Sequence, residues 1–154
     1  MALQHAHHLR EAGQDWLLSC ADDPAAVRSA WAADQLAGFP SGTHWTVAEA
    51  PLAQSMEAVK RIRLASRGPV LADVTAGRAW WLLPCELGDE LDDIWHLTVH
   101  PAGWLLRCPP VLYPVRGRVW MEPPTGSGQL TDPSFLGAAL GPGGSVRITE
   151  EAHG

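Results

Sequence analysis

The sequence predicts an α+β fold, in which a mixed or antiparallel sheet built from hairpins is covered by helices. Two observations support this prediction. First, short apolar segments follow one another across tight turns that contain Gly, and strands joined by such short connections must pair antiparallel. Second, an Asp followed by Pro precedes two other segments, at Asp23-Pro24 and Asp132-Pro133, and this pair is typical of a helix start. Helices placed beside hairpins give the α+β class.

Capping residues and apolar residues at helical spacing predict the helices. The N-terminal segment, 1–15, is expected to be flexible or helical, and Gly13 should end any helix early. The next two helices are predicted over 24–35 and 51–64. A short last helix is expected to begin after Asp132 and to end near residue 140.

Short segments with alternating polarity or with large apolar residues predict the strands. Their ranges are 43–49, 69–74, 78–83, 96–100, 104–108 and 118–122. Thr75-Ala76-Gly77 is expected to close a hairpin, because Gly can adopt the left-handed conformation that such a loop needs. The turn Pro101-Ala102-Gly103 is expected to pair the two strands that flank it in the same way.

The chain has 154 residues, which is the usual size of one domain. A single α+β domain is predicted over 16–140. Residues 141–154 begin with GPGG and are expected to be a flexible tail with a small strand at 146–149. No run of residues approaches the length of about 18 apolar residues that a membrane-spanning helix needs, so no membrane partner is expected.

The formal net charge is −6, whereas proteins that bind duplex DNA usually carry a basic patch that neutralises phosphates. Nucleic acid is therefore a disfavoured partner, and the one basic cluster, at 60–67, is read as the solvated face of a helix. The three cysteines have no CxxC spacing and no signal peptide precedes them, which indicates reduced thiols in a cytoplasmic protein. Eight Trp and a single Lys fit a GC-rich coding sequence of the actinomycete kind.

The segment 96–108 contains the residues most suited to hold a metal. Because residues two apart share a face of a strand, His96, Thr98 and His100 are expected to project together, and Cys108 would lie on the paired strand. Two His and one Cys are ligands that Zn²⁺ accepts. The alternation with Leu and Val also fits a half-buried strand with solvent-facing histidines, and this second interpretation is favoured. A divalent metal is possible but not expected.

The chain has no GxSxG, HExxH, Walker A or dinucleotide-binding motif. Several short segments of the sequence, taken in order, nevertheless resemble one known family. They are HWTVAEAP at 44–51, GPVLADVTAGRAWWLLP at 68–84, AGWLLRCPP at 102–110 and GRVWMEPP at 117–124. In this order the chain resembles the small actinomycete proteins that are similar to the N-terminal domain of bifunctional DNA primase/polymerases. The resemblance covers 16–140 and implies a primase-polymerase-like fold.

Active members of that family hold divalent metals with an acidic pair on a strand and a later lone Asp, and a small-x-His motif contacts the nucleotide. The corresponding positions in this chain differ from the family pattern. Where the acidic pair is expected, the chain has single acids, Glu49 and Asp73. The small-x-His motif is matched by Gly77-Arg78-Ala79-Trp80, with Trp in place of His, and Thr98 and His100 stand where the lone Asp is expected. The resemblance therefore implies a non-catalytic relative, and enzyme activity is not expected.

Three functions remain open from the sequence. The first is an accessory or binding protein, with a protein partner or a homodimer, acting through an aromatic-lined cleft; its predicted lining is Trp45, Trp80, Trp104, Arg78, His96 and His100. The second is a small enzyme, in specialised metabolism or on a mobile element, that reuses the cleft with His96 or His100 as a base oriented by Asp73 or Glu49. The third is residual nucleotide or DNA binding through Arg61, Arg63, Arg78, Arg116 and Arg118.

Overall fold

The structure is a computed structural model that describes residues 2–141. The predicted tail, 141–154, lies outside the described residues except for Gly141, and so does its small strand. Within residues 2–141 the four helices are α1 (Ala2–Ser19), α2 (Pro24–Ala32), α3 (Leu52–Arg61) and α4 (Pro133–Leu140). The seven strands of the same part of the chain are β1 (Ala37–Pro40), β2 (Thr46–Pro51), β3 (Val70–Asp73), β4 (Arg78–Leu83), β5 (Thr98–Val99), β6 (Leu105–Cys108) and β7 (Arg118–Glu122).

All strand pairs in the described residues are antiparallel. One sheet has five strands in the order β5-β2-β4-β3-β7, and a second sheet pairs β1 with β6. Together with the four helices, this arrangement confirms the predicted α+β class. A short 3₁₀ turn at Leu64–Ser66 follows α3, so α3 ends three residues before the predicted boundary.

Local capping chemistry explains where two of the helices begin. The Asp23 carboxylate accepts a hydrogen bond from the backbone N–H of Ala26, at 3.2 Å, and Pro24 opens α2. The Asp132 carboxylate accepts from the N–H of Ser134, at 2.9 Å, at the start of α4. Each carboxylate satisfies a backbone donor that the first helical turn leaves free. Both predicted helix starts are thereby confirmed.

The β3–β4 hairpin forms as predicted. Gly77 has a φ of 67°, a left-handed conformation that costs Gly little. The Asp73 carboxylate accepts a hydrogen bond from the N–H of Ala76, at 2.9 Å, inside the turn. Asp73 is thus fixed at the end of β3, beside the first residue of β4.

The second predicted hairpin is wrong in its pairing. Residues 101–103 do form a turn, in which the N–H of Trp104 binds the carbonyl of Pro101 at 3.1 Å. The strands on either side do not pair with each other, because β5 pairs with β2 and β6 pairs with β1. The sequence did not predict β1, and β5 has only two residues.

Gly13 does not end α1, and its place in the fold gives the reason for a glycine there. The helix continues to Ser19. A Cβ atom at Gly13 would lie 1.8 Å from the carbonyl oxygen of Pro124, which is far inside van der Waals contact. Gly13 therefore allows α1 to pack directly on the backbone of the loop that follows β7.

The five-stranded sheet has two buried faces. The α1/α2 face carries Val47, Leu71, Trp80, Leu82 and Trp120 and packs on α1, α2 and the small β1–β6 sheet. The α3/α4 face carries Ala48, Ala50, Val70, Ala79, Trp81 and Leu83 and packs on α3 and α4. The molecule thus has three layers, and the alternation of side chains along each strand assigns every sheet residue to one of them.

Candidate functional site: a polar network around Glu49

Charged side chains gather at one end of the α1/α2 face. Residues that pair directly across an antiparallel sheet share a face, and the register aligns Pro51, Arg78, Asp73 and Arg118 in one row across β2, β4, β3 and β7. Glu49 pairs with Trp80 in the adjacent row. The strand register therefore brings two carboxylates and two guanidinium groups together.

The Glu49 carboxylate is the centre of this network. It accepts hydrogen bonds from Arg78 Nε at 2.8 Å, from Trp80 Nε1 at 2.8 Å and from His100 Nε2 at 2.9 Å. Arg78 and Trp80 are two residues apart in β4, on the strand next to Glu49, while His100 follows β5 on its other side. Three donors from both neighbouring segments thus fix one carboxylate.

Two opposing effects act on the pKa of Glu49. Burial is the largest single contribution, and it raises the pKa because it disfavours the charged form. The hydrogen bonds from His100, Arg78 and Trp80, together with the positive charge of Arg78, outweigh it and hold the pKa below its ordinary value of 4.5. Glu49 is therefore ionised at neutral pH and acts as an acceptor only.

An ionised Glu49 also fixes the orientation of the His100 ring. Since the carboxylate can only accept, Nε2 carries the proton that it shares with Glu49. In the neutral ring Nδ1 is then an acceptor, and no described residue bonds to it. The His100 ring stacks on Trp104 with centroids 3.7 Å apart and planes 3° from parallel. Trp104 and Glu49 together hold the imidazole in one position.

A second ion pair lies beside the first. Arg118 Nε binds Asp73 Oδ2 at 3.1 Å, and its Nη1 donates to the carbonyl of Arg107 at 2.6 Å. The guanidinium carbon lies 4.3 Å from the centroid of the Trp80 ring, within the range of a cation–π interaction. Trp80 is thus bonded to Glu49 at its edge and covered by Arg118 on its face, which joins the two pairs into one network.

We call this region the Glu49 surface and define it by the six side chains that are at least partly accessible to solvent. They are Glu49, Asp73, Arg78, His100, Trp104 and Arg118. Arg78 has 33% of its side chain exposed and Glu49 has 20%. Arg78 hydrogen-bonds Glu49 through Nε alone, so within the described residues its two terminal nitrogens have no acceptor. These nitrogens and His100 Nδ1 are unpaired polar atoms that the surface offers to a ligand.

The structure brings together three of the four predicted catalytic residues. Glu49 binds His100, and Asp73 lies in the adjacent ion pair. The fourth, His96, is separated from them, which corrects the prediction that His96 and His100 share a strand face. Residues 94–97 form a turn, with the Leu97 N–H bonded to the Ile94 carbonyl at 3.1 Å, so strand alternation does not extend to His96. Its side chain lies against α3 and α4.

The predicted aromatic lining is also partly wrong. Trp45 is fully buried and belongs to the core, so it cannot line a cleft. Trp80 is only 4% exposed and orients Glu49 and Arg118 without offering a free face. Of the predicted ligand-binding residues, Trp104 and Arg78 remain at the surface.

The predicted metal site does not form. Cys108 is fully buried in the core below the β1–β6 sheet, where burial raises the pKa of its thiol and disfavours the thiolate that a metal needs. His96 and His100 lie on different sides of the five-stranded sheet. Among residues 2–141 no three His, Cys, Asp or Glu side chains come together as a metal-binding group.

The five arginines of the nucleic-acid hypothesis do not form one patch. Arg78, Arg116 and Arg118 belong to the Glu49 end of the sheet, whereas Arg61 donates to the carbonyl of Ala139 on α4, at 3.2 Å. The sequence named Arg118 only as one of these five arginines. Its contacts with Asp73 and Trp80 could not be predicted, because they depend on the pairing of β7 with β3. The alternation of Arg118 with the buried Trp120 was the available signal.

Comparisons with known proteins add nothing to this geometry, since no protein-family model, curated protein or solved structure matches the chain. In the part of the chain that the structure describes, no helix has both the length and the apolar character needed to span a bilayer.

Proposed function

We propose that the protein is a cytoplasmic, non-catalytic binding protein of primase-polymerase-like descent, and that its Glu49 surface binds a planar, anionic ligand of the nucleotide class. The observation that carries the proposal is the Glu49 carboxylate with its three donors. It orients a cationic guanidinium and an imidazole towards the same site, and neither of these groups is fully used by the protein itself.

The use of the two carboxylates supports binding over polymerase chemistry. Two-metal catalysis needs carboxylates that converge on the ions. Here Glu49 is bonded to Arg78, and Asp73 is bonded to Arg118. Each carboxylate thus neutralises and positions an arginine, and a metal would have to displace that arginine first.

The chemistry of the unpaired groups supports the ligand class. Guanidinium groups bind phosphate through parallel N–H donors, and Arg78 keeps both terminal nitrogens for this purpose. The stacked pair of His100 and Trp104 gives the surface a flat, partly accessible aromatic element, and planar bases stack on such elements. A phosphate on Arg78 and a base beside His100 would use both features at once.

The proposal is tested by calorimetric titration with adenosine 5′-monophosphate, with adenosine and inorganic phosphate as separate arms. We expect the monophosphate to bind more tightly than either part. Arg78→Met should weaken binding by about tenfold or more, since charged hydrogen bonds contribute about 1.5–3 kcal/mol. The matched control is Arg28→Met, which changes an exposed arginine on α2 outside the Glu49 surface. This variant should bind as the wild type does.

Thermal melts of both variants show whether either substitution disturbs the fold. Equal binding by wild type and Arg78→Met would contradict the proposal, as would binding of none of the three probes. The latter result would favour a protein partner or a homodimer over a small ligand.

A second candidate function is acid–base catalysis, favoured by the 2.9 Å contact between His100 and Glu49. A carboxylate that orients a histidine and leaves its second nitrogen open is the arrangement of a general base. If the surface is catalytic, nucleotide probes are converted to product, which ³¹P NMR detects, and His100→Gln abolishes the conversion. Binding without turnover supports the first function.

A further inference from the structure

A pocket of about 310 Å³ lies on the other side of the molecule from the Glu49 surface. It is formed between α3, α4 and the turn before β5. Ala53, Ala139 and Leu140 give it apolar walls, and Arg61, His96 and Gln54 are its main polar groups. Its volume is at the lower end of the range of ligand sites, about 300–1,000 Å³, so it fits a small molecule.

Arg61 is a positive charge at this pocket without an acidic partner among the described residues. Its Nη1 donates to the carbonyl of Ala139, which holds the guanidinium at the C-terminal end of α4 and offsets the partial negative charge there. Glu57 also lines the pocket, but it pairs with Lys60 at 3.3 Å. Arg61 thus keeps donors for a ligand.

His96 contributes a second unpaired group. Its Nδ1 atom is buried and has no hydrogen-bond partner, and buried polar atoms in native proteins nearly always have one. This nitrogen has no partner among the described residues and no access to solvent, so a small rotation of the His96 ring towards the pocket is what would give it a ligand as its partner.

We propose that this pocket is a second binding site, for a small carboxylic acid with a short apolar body. The carboxylate binds Arg61 and the N–H of His96, and the apolar body packs on Ala53, Ala139 and Leu140. An acid fits better than a neutral molecule because two donors, one of them permanently charged, meet beside an apolar wall. The site is independent of the function proposed for the Glu49 surface.

Trp95 provides a means to observe the site. It is 91% exposed, and its ring lies 5.3 Å from the ring of His96. The other seven tryptophans are all buried or partly buried. The indole N–H signal of Trp95 in an NMR spectrum, assigned by its loss in Trp95→Phe, therefore reports on the neighbourhood of His96.

The test is an NMR titration of the full chain with benzoate, and with benzamide as a neutral probe of the same shape. We expect benzoate to shift the signals of Trp95 and of the His96 ring in a saturable way, and benzamide to bind much more weakly. Arg61→Met should reduce benzoate affinity by about tenfold or more. Arg63→Met, which removes an exposed arginine that does not line the pocket, should leave the affinity unchanged.

Several results would overturn the proposal. Among them are the absence of a saturable shift with benzoate, equal binding of benzamide, and unchanged affinity in an Arg61→Met variant whose spectrum shows an intact fold. Shifts confined to His100 and Trp104 would also overturn it, because the carboxylate would then bind to the Glu49 surface.

Discussion

Trp80 and Trp81 are neighbours in β4 that enter opposite faces of the same sheet, and both are buried. On the α3/α4 face, Trp81 Nε1 donates to the hydroxyl of Ser55 at 3.1 Å, in a buried, uncharged environment. On the α1/α2 face, Trp80 Nε1 donates to the Glu49 carboxylate at 2.8 Å, within a network of two ion pairs. The same indole group is thus satisfied by a neutral partner on one face and by an ionised partner on the other.

The difference shows what each face is used for. A neutral hydroxyl is sufficient to satisfy a buried donor, and the α3/α4 face needs nothing more for a stable core. An ionised carboxylate that is buried in part is costly unless charges and hydrogen bonds compensate it. The α1/α2 face carries this cost at one end only, where Arg78 and His100 reach solvent.

The largest effect is expected from Trp81→Ala. Replacing a fully buried Trp by Ala costs about 3–5 kcal/mol of unfolding free energy, and Trp81 is fully buried. Urea denaturation followed by circular dichroism measures the loss. Trp95→Ala, which changes the most exposed Trp of the described chain, is the control and should stay within about 0.5 kcal/mol of wild type. Similar losses in the two variants would contradict the assigned core.

An intermediate effect is expected from Ser55→Ala, which leaves the buried N–H of Trp81 without an acceptor. An unsatisfied buried donor costs about 1–3 kcal/mol. Ser134→Ala, an exposed serine at the start of α4, should change the free energy of unfolding by less than about 0.5 kcal/mol. Because Ser55 does not ionise, the loss in Ser55→Ala should be the same at pH 4 and pH 7; a loss that varies with pH would show that this face is not electrically neutral.

The smallest effect, and the one that separates the two faces, is the pH dependence of Glu49→Gln. The pKa of Glu49 lies below its ordinary value of 4.5 in the folded protein. Its ionisation therefore contributes stability that is present above the ordinary pKa and is lost as the pH falls through the folded value. Wild type should exceed Glu49→Gln in stability at pH 7, by about 1–2 kcal/mol, and the gap should close on acidification.

Denaturant unfolding at a series of pH values measures this gap. Glu57→Gln, which changes an exposed carboxylate in a surface pair, should show no comparable dependence. A constant gap between wild type and Glu49→Gln would mean that Glu49 stabilises the fold through shape and hydrogen bonding alone.

Much of the fold follows from local signals in the sequence. Asp23 and Asp132 mark helix starts, and Gly77 marks a hairpin, because each satisfies a requirement of its immediate neighbours. The pairing of β1 with β6 could not be predicted in this way, since it joins residues 37–40 to residues 105–108 and depends on the packing of the whole α1/α2 layer. Gly13 was misread for the same reason, because its contact with Pro124 is distant in sequence.

The candidate site was predicted in part. The sequence offered His96 or His100 as a base oriented by Asp73 or Glu49, and the structure pairs His100 with Glu49. Strand alternation failed at His96, because the chain turns there before β5 begins. The contribution of Arg118 depends on the neighbour of β7 in the sheet, which no local pattern specifies.

The crossover from β2 through α3 to β3 has a consequence for how the molecule folds. The β3–β4 hairpin can form locally. Because β4 lies between β2 and β3 in the sheet, β2 must then pair with the edge of β4 that β3 leaves open. Glu49 finds Arg78 and Trp80 only at that step, and His100 only after a further loop closes, 51 residues from Glu49. Contacts between such distant residues form late, so Glu49→Gln should speed unfolding and leave the refolding rate unchanged.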